Sequence, residues 1–124
     1  MPDLLTPIPV LRIFDEVKAR EFYVDFLEFG VDWEHRYEAE LPIYLQVSRG
    51  GSVLHLSEHS GDGTPGSNVF QPMRGIHAYR EMLLGKQWKT CRPELVEQPW
   101  GGLEMSVSDP FGNRIRFAER METS

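Results

Sequence analysis

The feature that most constrains this chain is a five-residue turn, Asp109-Pro110-Phe111-Gly112-Asn113, set between two alternating segments. Asp bonds the backbone ahead of it, Pro presets φ, and Gly supplies a positive φ at no steric cost. Ser106 to Ser108 alternates polar and apolar around Val107, and Arg114 to Ala118 alternates again with Ile115 and Phe117 on one face. The pattern predicts a β-hairpin. Its second strand has an earlier echo: Gly51 to Glu58 aligns with Gly112 to Glu119. Gly51 matches Gly112, Leu54 matches Ile115, Leu56 matches Phe117 and Glu58 matches Glu119. The last strand therefore closes the second copy of a repeated unit.

Taken in order, the chain predicts that unit twice. Ile8 to Phe14 reads as a strand with Pro9 near its start, where a missing N–H is tolerated. Asp15 caps a helix in which Val17, Phe22, Phe26 and Phe29 partly follow helical spacing, with Gly30 to close it. Strands follow at Val31–Tyr37, Leu41–Val47 and Ser52–Ser57, with Arg49-Gly50-Gly51 as a turn. Glu58 to Ser67 is rich in Gly, Ser and Pro and reads as a linker. The order then restarts. Asn68–Met73 predicts a strand, Gly75–Leu84 a helix closed by Gly85, and Trp88–Arg92 a strand. A loop over Gln98–Gly102 precedes the strands Leu103–Ser108 and Arg114–Glu119. Arg120 to Ser124 reads as a loose tail.

At 124 residues the chain is long enough for one domain with its own core. The expected division is a first module over about 8–58, a linker over 59–67 and a second module over about 68–119. No long apolar run predicts a membrane span, and the N-terminus lacks the pattern of a secretory signal. Cys91 is the only cysteine, which fits a reducing cytosol. The net charge of −6 argues against nucleic acid as a partner and suits a cationic small molecule. His35, His55, His59 and His77 are scattered, and no Gly-rich phosphate loop is present. Trp100 lies in a Pro- and Gly-flanked loop, where a large ring is hard to bury. Trp33 alternates with Asp32, Glu34 and His35. Aromatic faces beside carboxylates suit a flat cation. Most of the aromatics are expected in the core.

Two tandem βαβββ units, Ala19-Arg20-Glu21-Phe22-Tyr23, Val53 to Glu58, Gln98-Pro99-Trp100-Gly101 and the Asp109–Asn113 turn together resemble the vicinal oxygen chelate superfamily. This is the glyoxalase, bleomycin resistance protein and dioxygenase group, and the chain is most similar to its bleomycin resistance branch. The resemblance implies an α+β fold of two curved sheets around a cleft, often completed by dimerisation. In the superfamily's metalloenzymes, ligands sit on the first and last strands of each module. Carried over, those positions fall on Ile8, His55, Ser67 or Asn68, and Arg116. Of these only His55 suits a divalent metal, so the expectation is a site without metal or other cofactor. The implied function is a cytoplasmic, homodimeric binding protein that sequesters a planar cationic antibiotic of the bleomycin type without changing it. The expected ligand-binding residues are Trp33, Trp100, His55, Tyr44 and Arg116. The alternative is a metal-dependent, glyoxalase-like lyase using His55 with Glu58 or Glu104. A sensor for an unrelated small molecule is a third reading.

Overall fold

A computed structural model describes residues 2–121. The first unit runs β1 (Val10–Arg12), α1 (Glu16–Arg20), β2 (Gly30–His35), β3 (Tyr44–Arg49) and β4 (Ser52–Ser57). The second runs β5 (Asn68–Pro72), α2 (Ile76–Gly85), β6 (Val96–Gln98), β7 (Gly102–Ser108) and β8 (Arg114–Arg120). The fold is α+β, with two βαβββ units in tandem. Each builds a four-stranded sheet of the same order, β1-β4-β3-β2 and β5-β8-β7-β6. In both, the outer strand that opens the unit pairs in parallel with the strand that ends it. The repeat seen in Gly51–Glu58 and Gly112–Glu119 is thus a repeat of topology.

Strand alternation separates two faces on each sheet. Leu45, Val47, Leu54 and Leu56 are buried, and they share one core with Phe22, Tyr23 and Phe26 of the first helical segment. Met105, Val107, Ile115 and Phe117 do the same beneath Ile76, Tyr79 and Leu83 of α2. The opposite faces carry Tyr44, Gln46, Val53 and His55 on the first sheet, and Phe70, Ser106 and Arg116 on the second. These side chains are half-buried or exposed. Among the described residues, no helix covers them.

The Asp109–Asn113 turn locks the two units together. The Asp109 carboxylate accepts from the Phe111 and Asn113 amides, from Asn113 Nδ2 at 2.8 Å and from the Tyr23 hydroxyl at 2.6 Å. Asn113 Nδ2 also donates to the Arg12 carbonyl, and Asn113 Oδ1 accepts from the Ser67 amide. Gly112 takes φ +88, which a side chain would strain. Burial and the Asp109 charge push the Tyr23 hydroxyl well above its ordinary pKa, so it stays a donor.

Several boundaries differ from the sequence reading. The first helix turns π-helical over Glu21–Phe26, and Glu28 rather than Gly30 takes the left-handed conformation that ends it. Gly85 lies inside α2, and Gln87 at φ 54 makes the turn after it. Trp88–Arg92 is not a strand. The Trp88 ring lies 5.0 Å from that of Phe26, and the short strand of this region is Val96–Gln98. Arg120 belongs to β8, and the rest of the expected tail beyond Met121 lies outside the described residues.

Candidate functional site

The five expected ligand-binding residues fall into two groups, one on the open face of each sheet. On the first sheet, Tyr44, His55 and Trp33 come together. Trp33 lies parallel to Tyr44, with ring centroids 6.0 Å apart and planes 8° apart. His55 meets both rings edge-on, at 5.3 Å from Trp33 and 5.2 Å from Tyr44. These are the offset and T-shaped geometries that ring quadrupoles favour. The Trp33 side is open, with the residue 43% exposed.

A β-bulge builds this corner. The β2–β3 register shifts between Val31 and Trp33, so Trp33 pairs with Gln46. A bulge re-aims neighbouring side chains, and Asp32 here joins Trp33 on the open face. Its carboxylate accepts from Gln46 Nε2 and from the Ser48 hydroxyl, both at 3.0 Å. Those two bonds lower the Asp32 pKa and keep the group ionised. No cation pairs with Asp32 among the described residues.

The carboxylate also fixes the state of His55. Because Asp32 can only accept, Gln46 points its amide nitrogen there and its Oε1 toward His55 Nε2, 3.0 Å away. His55 therefore carries its proton on Nε2, and Nδ1 accepts from the Tyr44 hydroxyl at 2.7 Å. Ser48, Asp32, Gln46, His55 and Tyr44 form one chain of hydrogen bonds, and both imidazole nitrogens are occupied within it.

Burial lowers the His55 pKa from its ordinary 6.5. The unfolded chain then takes up this proton at a higher pH than the folded one. The contribution of neutral His55 is present above pH 6.5 and lost as the pH falls below it. Thermal melts between pH 7.5 and 5.5 should show a falling midpoint in the native protein. That part of the slope should be missing in His55→Gln, where no group titrates.

The second group sits on β5, β7, β8 and the β6–β7 turn that holds Trp100. Arg116 lies over the Phe70 ring at 5.2 Å, and Phe70 meets Trp100 edge-on at 6.5 Å. The buried Glu104 carboxylate holds Arg116 in a two-bond pair at 2.8 and 3.1 Å. Phe70 and Trp100 are 49% and 41% exposed, so their faces are available. Phe70 is therefore one of the aromatics that lie outside the core, although most of them are expected inside it. Its signal was the alternation of β5, where Val69 packs inward. Gln46 carries no signal in the sequence, and Asp32, the carboxylate named beside Trp33, reaches the same face as Trp33 through the bulge.

Trp100 owes its place to Gly102. A Cβ at Gly102 would lie 1.9 Å from Trp100 Cζ3 and 2.8 Å from the Glu119 carbonyl oxygen. Gly102→Ala should therefore eject the indole and cost about 1–3 kcal/mol. The midpoint of denaturant unfolding and the tryptophan emission maximum would read the two effects.

The register corrects the strand positions carried over from metalloenzymes. Val10 lies beside His55 and Phe70 beside Arg116, while Ile8 precedes β1. Among the described residues, no three His, Cys, Asp or Glu side chains converge. Glu58 Oε1 accepts from the Ile43 amide, and Glu104 is taken by Arg116. The residues present therefore do not fit the ligand set of the alternative reading.

A groove of about 670 Å³ runs between the two open faces, with Val53 on one side, Phe70 on the other, and Leu5 and Ile8 along its edge. A second cavity, of about 610 Å³, lies between the β3–β4 turn and α2, and neither cavity is lined by any of the five expected residues. Among the described residues, no helix is long and apolar enough to cross a membrane.

Two repeated βαβββ sheets, each with aromatic side chains on its open face, frame the comparison with known proteins. The chain belongs to the glyoxalase superfamily: a family profile described as glyoxalase superfamily protein matches residues 4–124. No curated protein matches it. Among solved structures, a bleomycin-binding protein complexed with bleomycin aligns over 95% of this chain and 100% of its own at 17% identity, with a TM-score of 0.70. TnmS3, an antibiotic binding protein from Streptomyces sp. CB03234, aligns over 97% and 100% at 18% identity and TM-score 0.68. A glyoxalase-related enzyme from Clostridium phytofermentans aligns over 97% and 98% at 20% identity and TM-score 0.74. At these identities the likeness is one of fold.

Proposed function

We propose that this chain is a non-catalytic binding protein that sequesters a planar, positively charged small molecule of the bleomycin class, acting as a homodimer in the cytoplasm. The observation that carries the reading is the Trp33–Tyr44–His55 cluster beside Asp32. An exposed indole face offers stacking, and a carboxylate without a cationic partner offers charge attraction. Phe70 and Trp100 offer a second stacking surface. Two structural neighbours described as binding bleomycin or an antibiotic support the ligand class. The open faces support the homodimer, since a second copy would close them. The lone, free Cys91 suits a reducing compartment.

The geometry also favours binding over turnover. The His55 imidazole has both nitrogens engaged, by Tyr44 and Gln46. Titration calorimetry with bleomycin at low salt tests the reading. The expected result is saturable heat with a ligand recovered unchanged by mass spectrometry. Absence of heat, or a modified ligand, would overturn it. Elemental analysis of protein purified without chelator checks the alternative. A stoichiometric metal, lost in His55→Ala, would favour the lyase.

A further inference from the structure

The two open faces differ in charge. On the second sheet the register lays side chains in rows across β5, β8 and β7. Asn68, Arg114 and Ser108 form one row; Phe70, Arg116 and Ser106 form the next. Residues paired across a sheet share a face. Arg116 is neutralised by Glu104. Arg114 is exposed, and the partner of its guanidinium among the described residues is the Ser106 hydroxyl at 3.1 Å. It joins none of the ion pairs among those residues. The two rows carry two guanidinium groups, two hydroxyls and an amide; Glu104, one row further along β7, takes up the charge of Arg116 and leaves that of Arg114 outside any ion pair among the described residues. In a chain of net charge −6 this corner is positive.

We propose that this corner binds an acidic substituent of the planar ligand, a carboxylate, sulfonate or phosphate, with Arg114 as its main contact. Arginine's flat fork matches such oxyanions in two-bond geometry. The ring of the same molecule lies on Phe70, one row away, with Trp100 edge-on beyond it. The inference rests on the binding reading above and narrows its ligand. A planar molecule with charge of both signs would meet Asp32 on the first sheet and Arg114 on the second.

Two dyes with one ring system test this. Anilinonaphthalenesulfonate carries an anionic group, and phenylnaphthylamine lacks it. Both are titrated by dye fluorescence into the native protein, Arg114→Gln, Arg74→Gln and Trp100→Ala. Arg74 borders the second cavity and serves as the control for binding there. The native protein should bind the sulfonate about tenfold tighter, the scale of one charge-assisted hydrogen bond. Arg114→Gln should bring the ratio to about one, Arg74→Gln should leave it, and Trp100→Ala should weaken both dyes. Raising the salt should shrink the ratio. Equal affinity in the native protein, a preference that survives Arg114→Gln, or one that vanishes only in Arg74→Gln would overturn the inference. If the neutral dye binds through Trp100 without a preference for the sulfonate, the acid site falls and the binding reading stands. If neither dye binds, the inference falls, and the calorimetry with bleomycin decides the binding reading.

Discussion

Asp109→Ala is expected to cost about 3–5 kcal/mol of stability, a large share of the margin of about 5–15 kcal/mol that holds an ordinary domain together. The carboxylate is buried and accepts four hydrogen bonds. Alanine would leave two backbone amides, the Asn113 side chain and the Tyr23 hydroxyl without that acceptor. Each buried donor left unpaired costs about 1–3 kcal/mol, and they are coupled, so the sum overstates the total. The midpoint of thermal unfolding should drop by about 10–20 °C. Tyr23→Phe removes one bond and leaves one acceptor position open, so it should cost about 1–2 kcal/mol. A loss below about 1 kcal/mol in Asp109→Ala would show that the turn does not tie the two units together.

Trp33→Ala should weaken bleomycin binding by about 30-fold or more while leaving the melting midpoint nearly unchanged. Loss of a central aromatic contact costs about 2 kcal/mol or more in a binding site. The residue lies on an edge strand and is 43% exposed, so the core loses little. Trp33→Phe keeps a ring over Tyr44 and should retain most of the affinity. Asp32→Asn separates charge from stacking: it keeps an acceptor for Ser48 but removes the negative group. Calorimetry of the three variants reads these effects. An unchanged affinity in Trp33→Ala would remove the first sheet from the site.

The legible part of this molecule was its repeat. Gly51 to Glu58 and Gly112 to Glu119 share turn chemistry and strand period, and both fold as the strand that ends a unit. Local signals failed where tertiary contacts decided. Trp88 to Arg92 looked like a strand because tryptophan favours strands, yet Trp88 packs on Phe26 and its segment stays irregular. Gly30 and Gly85 looked like helix terminators, yet Glu28 and Gln87 adopt the positive φ. The candidate site was legible in part. Trp33, Tyr44 and His55 share one open face, and Trp100 and Arg116 share the other. Phe70 was hidden because an exposed phenylalanine and a core one look alike in a five-residue strand. Asp32 is legible as a carboxylate beside Trp33, but strict alternation puts it on the opposite face, and the bulge brings it round.

The measurement that bears most directly on the central claim is a tryptophan fluorescence titration with bleomycin. It compares the native protein with Trp33→Phe and Trp100→Phe. Trp88, packed against Phe26 on the helix side, serves as the internal reference. The account predicts saturable quenching at micromolar ligand or below, reduced in each variant and nearly absent when both are combined. No saturable change at millimolar ligand, or full quenching in the double variant, would contradict it.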